Sequence, residues 1–182
     1  MRQVTWDVSA GAMLLFALAY FFDGSGLVSA AVPAVCAHEL GHIAALRLCH
    51  HPLRRVSVGL FGLEIDYVGH LDGARAALCI GAGPFAGLLY AVLACSLGTG
   101  FWRISGAASF VLTAFNLLPI LPLDGGRLTE AAIGAAVAAK LSRIAAALLT
   151  LGGAVIALRF HALSLLGMGA WLTVCNFRGE SV

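Results

Sequence analysis

The chain has 182 residues, of which 60% are hydrophobic and only 11% charged, with a mean hydropathy of +0.95. Soluble globular domains carry about a quarter of their residues charged, so a soluble enzyme, a disordered chain, a collagen and a nucleic-acid-binding domain are all excluded. A net charge of +2 is too small to argue for a polyanionic partner, and what remains is an all-α polytopic membrane protein, read as a single integral domain over residues 1–182.

Spanning a bilayer takes roughly 20 apolar residues in a helix. The first such stretch, Val8–Phe22, is short and ends at Asp23. Arg2 precedes it, but Asp7 stands where a signal peptide should be basic, so no cleaved leader is expected. The second, Leu27–Cys49, is apolar in most positions yet contains His38, Glu39, His42 and Arg47. Leu53–Val68 alternates in places, through Val56, Val58 and Leu60 and then Leu63, Ile65 and Tyr67. With Gly59 and Gly62 near a turn, it reads as a short β-hairpin between spans two and three. Ala76–Leu97 and Ile104–Leu123 carry no charged residue and are spans three and four. Gly125–Lys140 is Ala-rich with Arg127, Glu130 and Lys140, and is a surface helix or an extension of span five. Leu141–Leu158 and Ala162–Phe177 form the last pair.

With six spans and the N-terminus inside, nine of the eleven Lys and Arg residues fall on the inner side, and Arg103 and Arg159 fall outside. The positive-inside rule then predicts both termini inside. The five cysteines, Cys36, Cys49, Cys79, Cys95 and Cys175, contain no C-x-x-C and read as small buried apolar residues, neither a disulfide framework nor a thiolate metal site.

His38-Glu39-Leu40-Gly41-His42 is H-E-x-x-H. On a helix, positions i and i+4 share a face, so two imidazoles there can both reach one Zn²⁺. Glu39 projects close by and can move a proton without binding the metal. Ionisable groups in the middle of an apolar helix cost about 2.5–3.5 kcal/mol each on insertion scales, which bound metal and a polar cavity would offset. The plain alternative is a polar cluster that packs helices. A catalytic zinc wants a third protein ligand and one open position. Asp124 is a candidate: it ends the fourth span after Pro119 and Pro122 and is followed by Gly125-Gly126. Broken backbone at membrane depth is tolerated only where it is buried in protein or lines a cavity. An interfacial, water-facing Asp is the alternative there. Asn116 lies eight residues upstream and could donate to an oxyanion or to a neighbouring helix.

HELGH in an early span, followed by N-x-x-P-x-x-P-L-D-G-G in a later one, resembles the site-2 protease family of intramembrane zinc metalloproteases (peptidase family M50). The short layout is similar to the stage IV sporulation protein FB group. The resemblance runs from about Val8 to Phe177. It implies one zinc per chain on His38, His42 and Asp124, with Glu39 as the catalytic glutamate and Asn116 contacting substrate. It also implies cleavage of a membrane-embedded or membrane-docked protein, such as a pro-sigma or anti-sigma factor, under inhibitory membrane partners. Gly81-Ala82-Gly83-Pro84 resembles the family's small-residue turn at the start of the third span; by packing alone, Gly83 and Gly87 are a small-xxx-small helix contact. The PDZ and CBS domains of other members are not expected, and His50, His51, His70 and His161 match no family motif. A zinc transporter or metal-binding membrane protein, or an inactive scaffold, would share the same helices.

Overall fold

The structure is a computed structural model that describes residues 4–59, 62–69, 71, 73–161 and 163–178. Arg2, Leu60 and His70 lie outside these residues. The element order is β1 (Thr5–Val8), α1 (Ala10–Phe21), α2 (Leu27–Leu48), β2 (Leu53–Gly59), β3 (Gly62–Tyr67), α3 (Gly73–Ser96), α4 (Gly100–Asn116), α5 (Asp124–Ile133), α6 (Ala135–Phe160) and α7 (Ser164–Arg178). The chain divides into two compact units, Met1–Ala114 and Phe115–Val182.

A helix lies at each of the six expected spans, but among the described residues only α2, α3 and α6 are long and apolar enough to cross a membrane. At about 1.5 Å per residue, the 17 residues of α4 reach roughly 26 Å, somewhat short of a hydrocarbon core of about 30 Å. The expected span Ile104–Leu123 is therefore corrected. Its helix begins earlier, at Gly100, and stops at Asn116, because Pro119 and Pro122 cannot continue it. Gly125–Lys140 combines both expectations. A separate helix, α5, ends at Gly134, whose φ of +87° suits glycine, and residues 135–140 extend α6.

In the first unit the hairpin forms as expected, with β2 and β3 antiparallel and Gly59 opposite Gly62. The sequence reading missed a third strand. β1 pairs parallel with β2, Trp6 opposite Val56, and Asp7 forms an ion pair with Arg55. The sheet order is β1-β2-β3. Ser9 ends the strand and caps α1, its Oγ accepting from the Ala12 amide at 3.1 Å. Asp23 does the same for α2 with more bonds: Oδ1 accepts from the amides of Ser25 and Leu27 and from the Ser25 hydroxyl, and Oδ2 from the Val28 amide. Ala45, Leu46, Leu53 and Cys79 form a core joining α2, β2 and α3.

In the second unit Ile120, Ala146 and Leu172 are almost completely buried and pack with Leu118, Leu123 and Trp171. The outer face of α6 is the reverse: Leu148, Leu151, Val155 and Leu158 are all exposed. An apolar stripe of this extent on a long helix suits lipid. The same reason corrects the cysteine expectation. Only Cys79 is buried, whereas Cys36 and Cys95 are exposed on helices whose outer surface a bilayer would cover.

His50 and His161 adopt left-handed backbone, with φ of +60° and +56°. They follow α2 and α6 in positions that glycine usually fills, and His is among the residues that tolerate it better. His51 Nδ1 meets the Val68 carbonyl at 3.1 Å, closing the base of the hairpin.

Candidate metal centre

α2 carries His38, Glu39 and His42. His38 is 4% exposed, and Glu39 and His42 are half-buried. The two rings stand edge to face, centroids 5.0 Å apart, as an i, i+4 pair on one helix face should. Their Nε2 atoms face each other at 3.3 Å. His42 Nδ1 lies 2.9 Å from the Cys79 carbonyl. A carbonyl only accepts, so Nδ1 carries the hydrogen and Nε2 presents its lone pair. A backbone carbonyl orienting a histidine in this way is the usual partner of a metal ligand. Without a cation, the facing nitrogens make one hydrogen bond from His38 to His42. With one, they fit closely: two nitrogens bound to zinc at 2.0–2.1 Å and a tetrahedral angle lie ~3.3–3.4 Å apart. The pair therefore fits zinc.

Close backbone approach makes room for this geometry. A Cβ on Gly41 would lie 2.4 Å from the Ala82 carbonyl oxygen of α3, so the glycine of HELGH lets α2 and α3 cross backbone to backbone. A Cβ on Gly83 would lie 2.1 Å from His42 Nε2. On Gly87 it would meet Thr113 Oγ1 at 2.5 Å and His38 Nδ1 at 3.5 Å. The expected small-xxx-small contact is real, and what it admits is the imidazole rings. The expected turn at Gly81–Pro84 is corrected: α3 starts at Gly73 and runs helically through all four residues. Along α4, Ser105, Ser109 and Thr113 are buried one turn apart. Ser105 Oγ lies 2.7 Å from Tyr90 Oη, and the Ser109 hydroxyl donates to the Gly87 carbonyl at 2.8 Å.

The second unit carries Asn116 and Asp124, both half-buried. Asn116 is the last residue of α4, and Asp124 the first of α5. Between them the chain folds back on itself: the Leu118 amide donates to the Phe115 carbonyl, and the Leu123 amide to the Ile120 carbonyl. Gly125 and Gly126 press against this loop. Added Cβ atoms would lie 2.2 Å from the Leu117 oxygen and 2.5 Å from the Ile120 carbonyl carbon.

Sequence reasoning missed two residues. The Leu121 amide donates to Ser142 Oγ at 2.7 Å, the Ser142 hydroxyl donates to Asn176 Oδ1, and Asn176 Nδ2 donates to the Leu121 carbonyl at 2.7 Å and to the Leu172 carbonyl at 2.8 Å. The available signal was their polarity: each stands inside a mostly apolar span, where an uncharged polar side chain needs a partner.

A family model for peptidase family M50 matches residues 98–160. The Mycobacterium tuberculosis protein Rip3, whose name proposes a zinc metalloprotease, is 31% identical over 183 residues in two strains, covering 86% of this chain and 44% of the relative. The chain thus spans less than half the length of the curated relatives it matches. The solved site-2 protease from Methanocaldococcus jannaschii superposes with a TM-score of 0.70 at 16% identity, over 100% of this chain and 93% of that one; at that identity the likeness speaks for the fold. By relative and family model together, the chain belongs to peptidase family M50, and it has the fold of the solved site-2 protease.

Proposed function

We propose that residues 1–182 act as one integral membrane protease domain, an intramembrane zinc endopeptidase that cleaves a transmembrane or membrane-docked protein segment. The observation that carries the reading is the facing Nε2 pair of His38 and His42, 3.3 Å apart with His42 tied to the Cys79 carbonyl. One zinc would be held by His38, His42 and Asp124, leaving a fourth position for water or substrate. When bound, zinc supplies a Lewis acid and lowers the pKa of water to about 7. Glu39, next to His38 on the same helical turn, takes the proton of the attacking water and hands it to the leaving amine. Asn116 donates its amide to the oxyanion. β2 is flanked on both sides, so β3 offers its outer edge to an unwound substrate strand.

In this reading both termini face the inside of a bacterial cell, and the histidine end of α2 opens to that side because Arg47, Arg54 and Arg55 follow it. The substrate class implied by the sporulation-type resemblance is a membrane-held pro-sigma or anti-sigma factor, processed in regulated intramembrane proteolysis and restrained by inhibitory membrane partners.

The test is a matched pair, wild type against Glu39→Gln, reading zinc content and cleavage of a membrane-docked substrate. Zinc should stay and cleavage should fall by at least the ~10²–10⁴-fold that general acid–base catalysis supplies. Lost zinc would make Glu39 a ligand and favour a transporter; undiminished cleavage would remove Glu39 from the chemistry.

A further inference from the structure

The ring around Leu121 has one consistent arrangement of hydrogens. Ser142 has a single O–H, which goes to Asn176 Oδ1, so its lone pair is the acceptor for the Leu121 amide. That fixes the Asn176 amide, because a flip would turn its oxygen onto the carbonyls of Leu121 and Leu172. Both backbone polar groups of Leu121 are thus held by side chains, one on α6 and one on α7. Ser142 is completely buried, and a broken link there strands polar groups away from water, at a cost above that of the bond itself. Leu121 lies three residues before Asp124, and Gly126 packs on the Ile120–Leu121 peptide. Whatever fixes Leu121 therefore fixes the first turn of α5.

From this geometry we infer that Ser142 and Asn176 are positioning residues for the Asp124 carboxylate: they set the path of the 117–123 loop, and through it the affinity for zinc. The inference rests on the proposal that Asp124 is a zinc ligand. It separates from a merely structural role because the unit supplies its own control. Thr150 and Thr173 also join α6 to α7, with Oγ1 atoms 2.9 Å apart, and Thr150 donates to the Ala146 carbonyl; among the described residues, these bonds run within and between the two helices and not to the loop.

The experiment is zinc affinity by chelator competition on the detergent-solubilised full chain, for wild type, Ser142→Ala, Asn176→Asp and Thr173→Val, with thermal stability measured in parallel. Asn176→Asp keeps the shape but sets a carboxylate oxygen against two carbonyls. Loss of a group bonded directly to a metal ligand typically costs 10–100-fold in metal affinity; Ser142 and Asn176 act one step further out, through Leu121, so Ser142→Ala and Asn176→Asp should weaken zinc by about tenfold, the lower end of that range. Thr173→Val should stay within about twofold whatever its stability. Should Asn176→Asp not fold, Ser142→Ala carries the test alone. Equal weakening in all three variants would overturn the inference, since the ring would then only hold helices together; so would wild-type affinity in Ser142→Ala. A wild-type chain that binds no zinc would instead overturn the parent reading.

Discussion

The two units present their candidate ligands by opposite means. In the first, His38 and His42 ride on an unbroken helix, and their spacing follows from 3.6 residues per turn. The supports are backbone and empty space: the Cys79 carbonyl, and the absent side chains of Gly41 and Gly83. In the second, Asp124 follows a loop with no repeating geometry, and side chains from α6 and α7 hold that loop. A helix carries its geometry in its own hydrogen bonds, whereas a loop has to borrow geometry from elsewhere in the chain. Point changes should therefore act in different ways in the two units: by steric intrusion in the first, by lost hydrogen bonds in the second.

The largest expected effect breaks the helical side outright. His38→Ala combined with His42→Ala should remove zinc altogether, and metal analysis of the purified protein that still found one zinc per chain would discard the site. Next is a matched pair inside one short segment. Gly83→Ala drives a methyl into the His42 ring, while Gly81 has nothing within 4 Å of its added Cβ. Zinc affinity should drop at least about tenfold in the first and hold in Gly81→Ala; equal affinities would mean the ring has room to move. Gly41→Ala meets backbone, which cannot rotate away, so it should lower stability by about 1–3 kcal/mol, read from the thermal midpoint.

The smallest effect concerns the start of the same helix. The Ser25 hydroxyl, followed by the amides of Val28, Leu27 and Ser25, holds the Asp23 carboxyl below its ordinary value. A depressed folded pKa gives stability that is present above the unfolded pKa and lost as pH falls through the folded one. The stability gap between wild type and Asp23→Ala should therefore shrink on acidification below about pH 4. A gap independent of pH would mean that the cap does not depend on charge.

The same contrast explains what could be read in advance. H-E-x-x-H is local, so its spacing gave both histidines and Glu39. The hairpin was legible from alternation and from Gly59 and Gly62. Asp124 and Asn116 stood out because prolines and glycines mark a break in an apolar run. β1 was not legible: it is four exposed residues whose partner lies about fifty positions away, and strand pairing at that distance leaves no local pattern. The Cys79 carbonyl is a backbone group and has no letter in the sequence. Ser142 and Asn176 are separated by 34 residues and belong to no spacing rule. The span limits erred where prolines were read as marking a break but not as ending α4 at Asn116.

The close approach of Gly83 to the His42 ring also bears on how divergent sequences are sorted. A search for active relatives that uses only H-E-x-x-H reads one helix and admits degenerate copies that keep the motif by inertia. Requiring, in addition, glycine at the third-helix position facing the second histidine tests whether the room for that ring persists. A lineage in which this site is released from selection should lose that glycine as readily as the glutamate, because any side chain there intrudes on the His42 ring while leaving the visible motif intact.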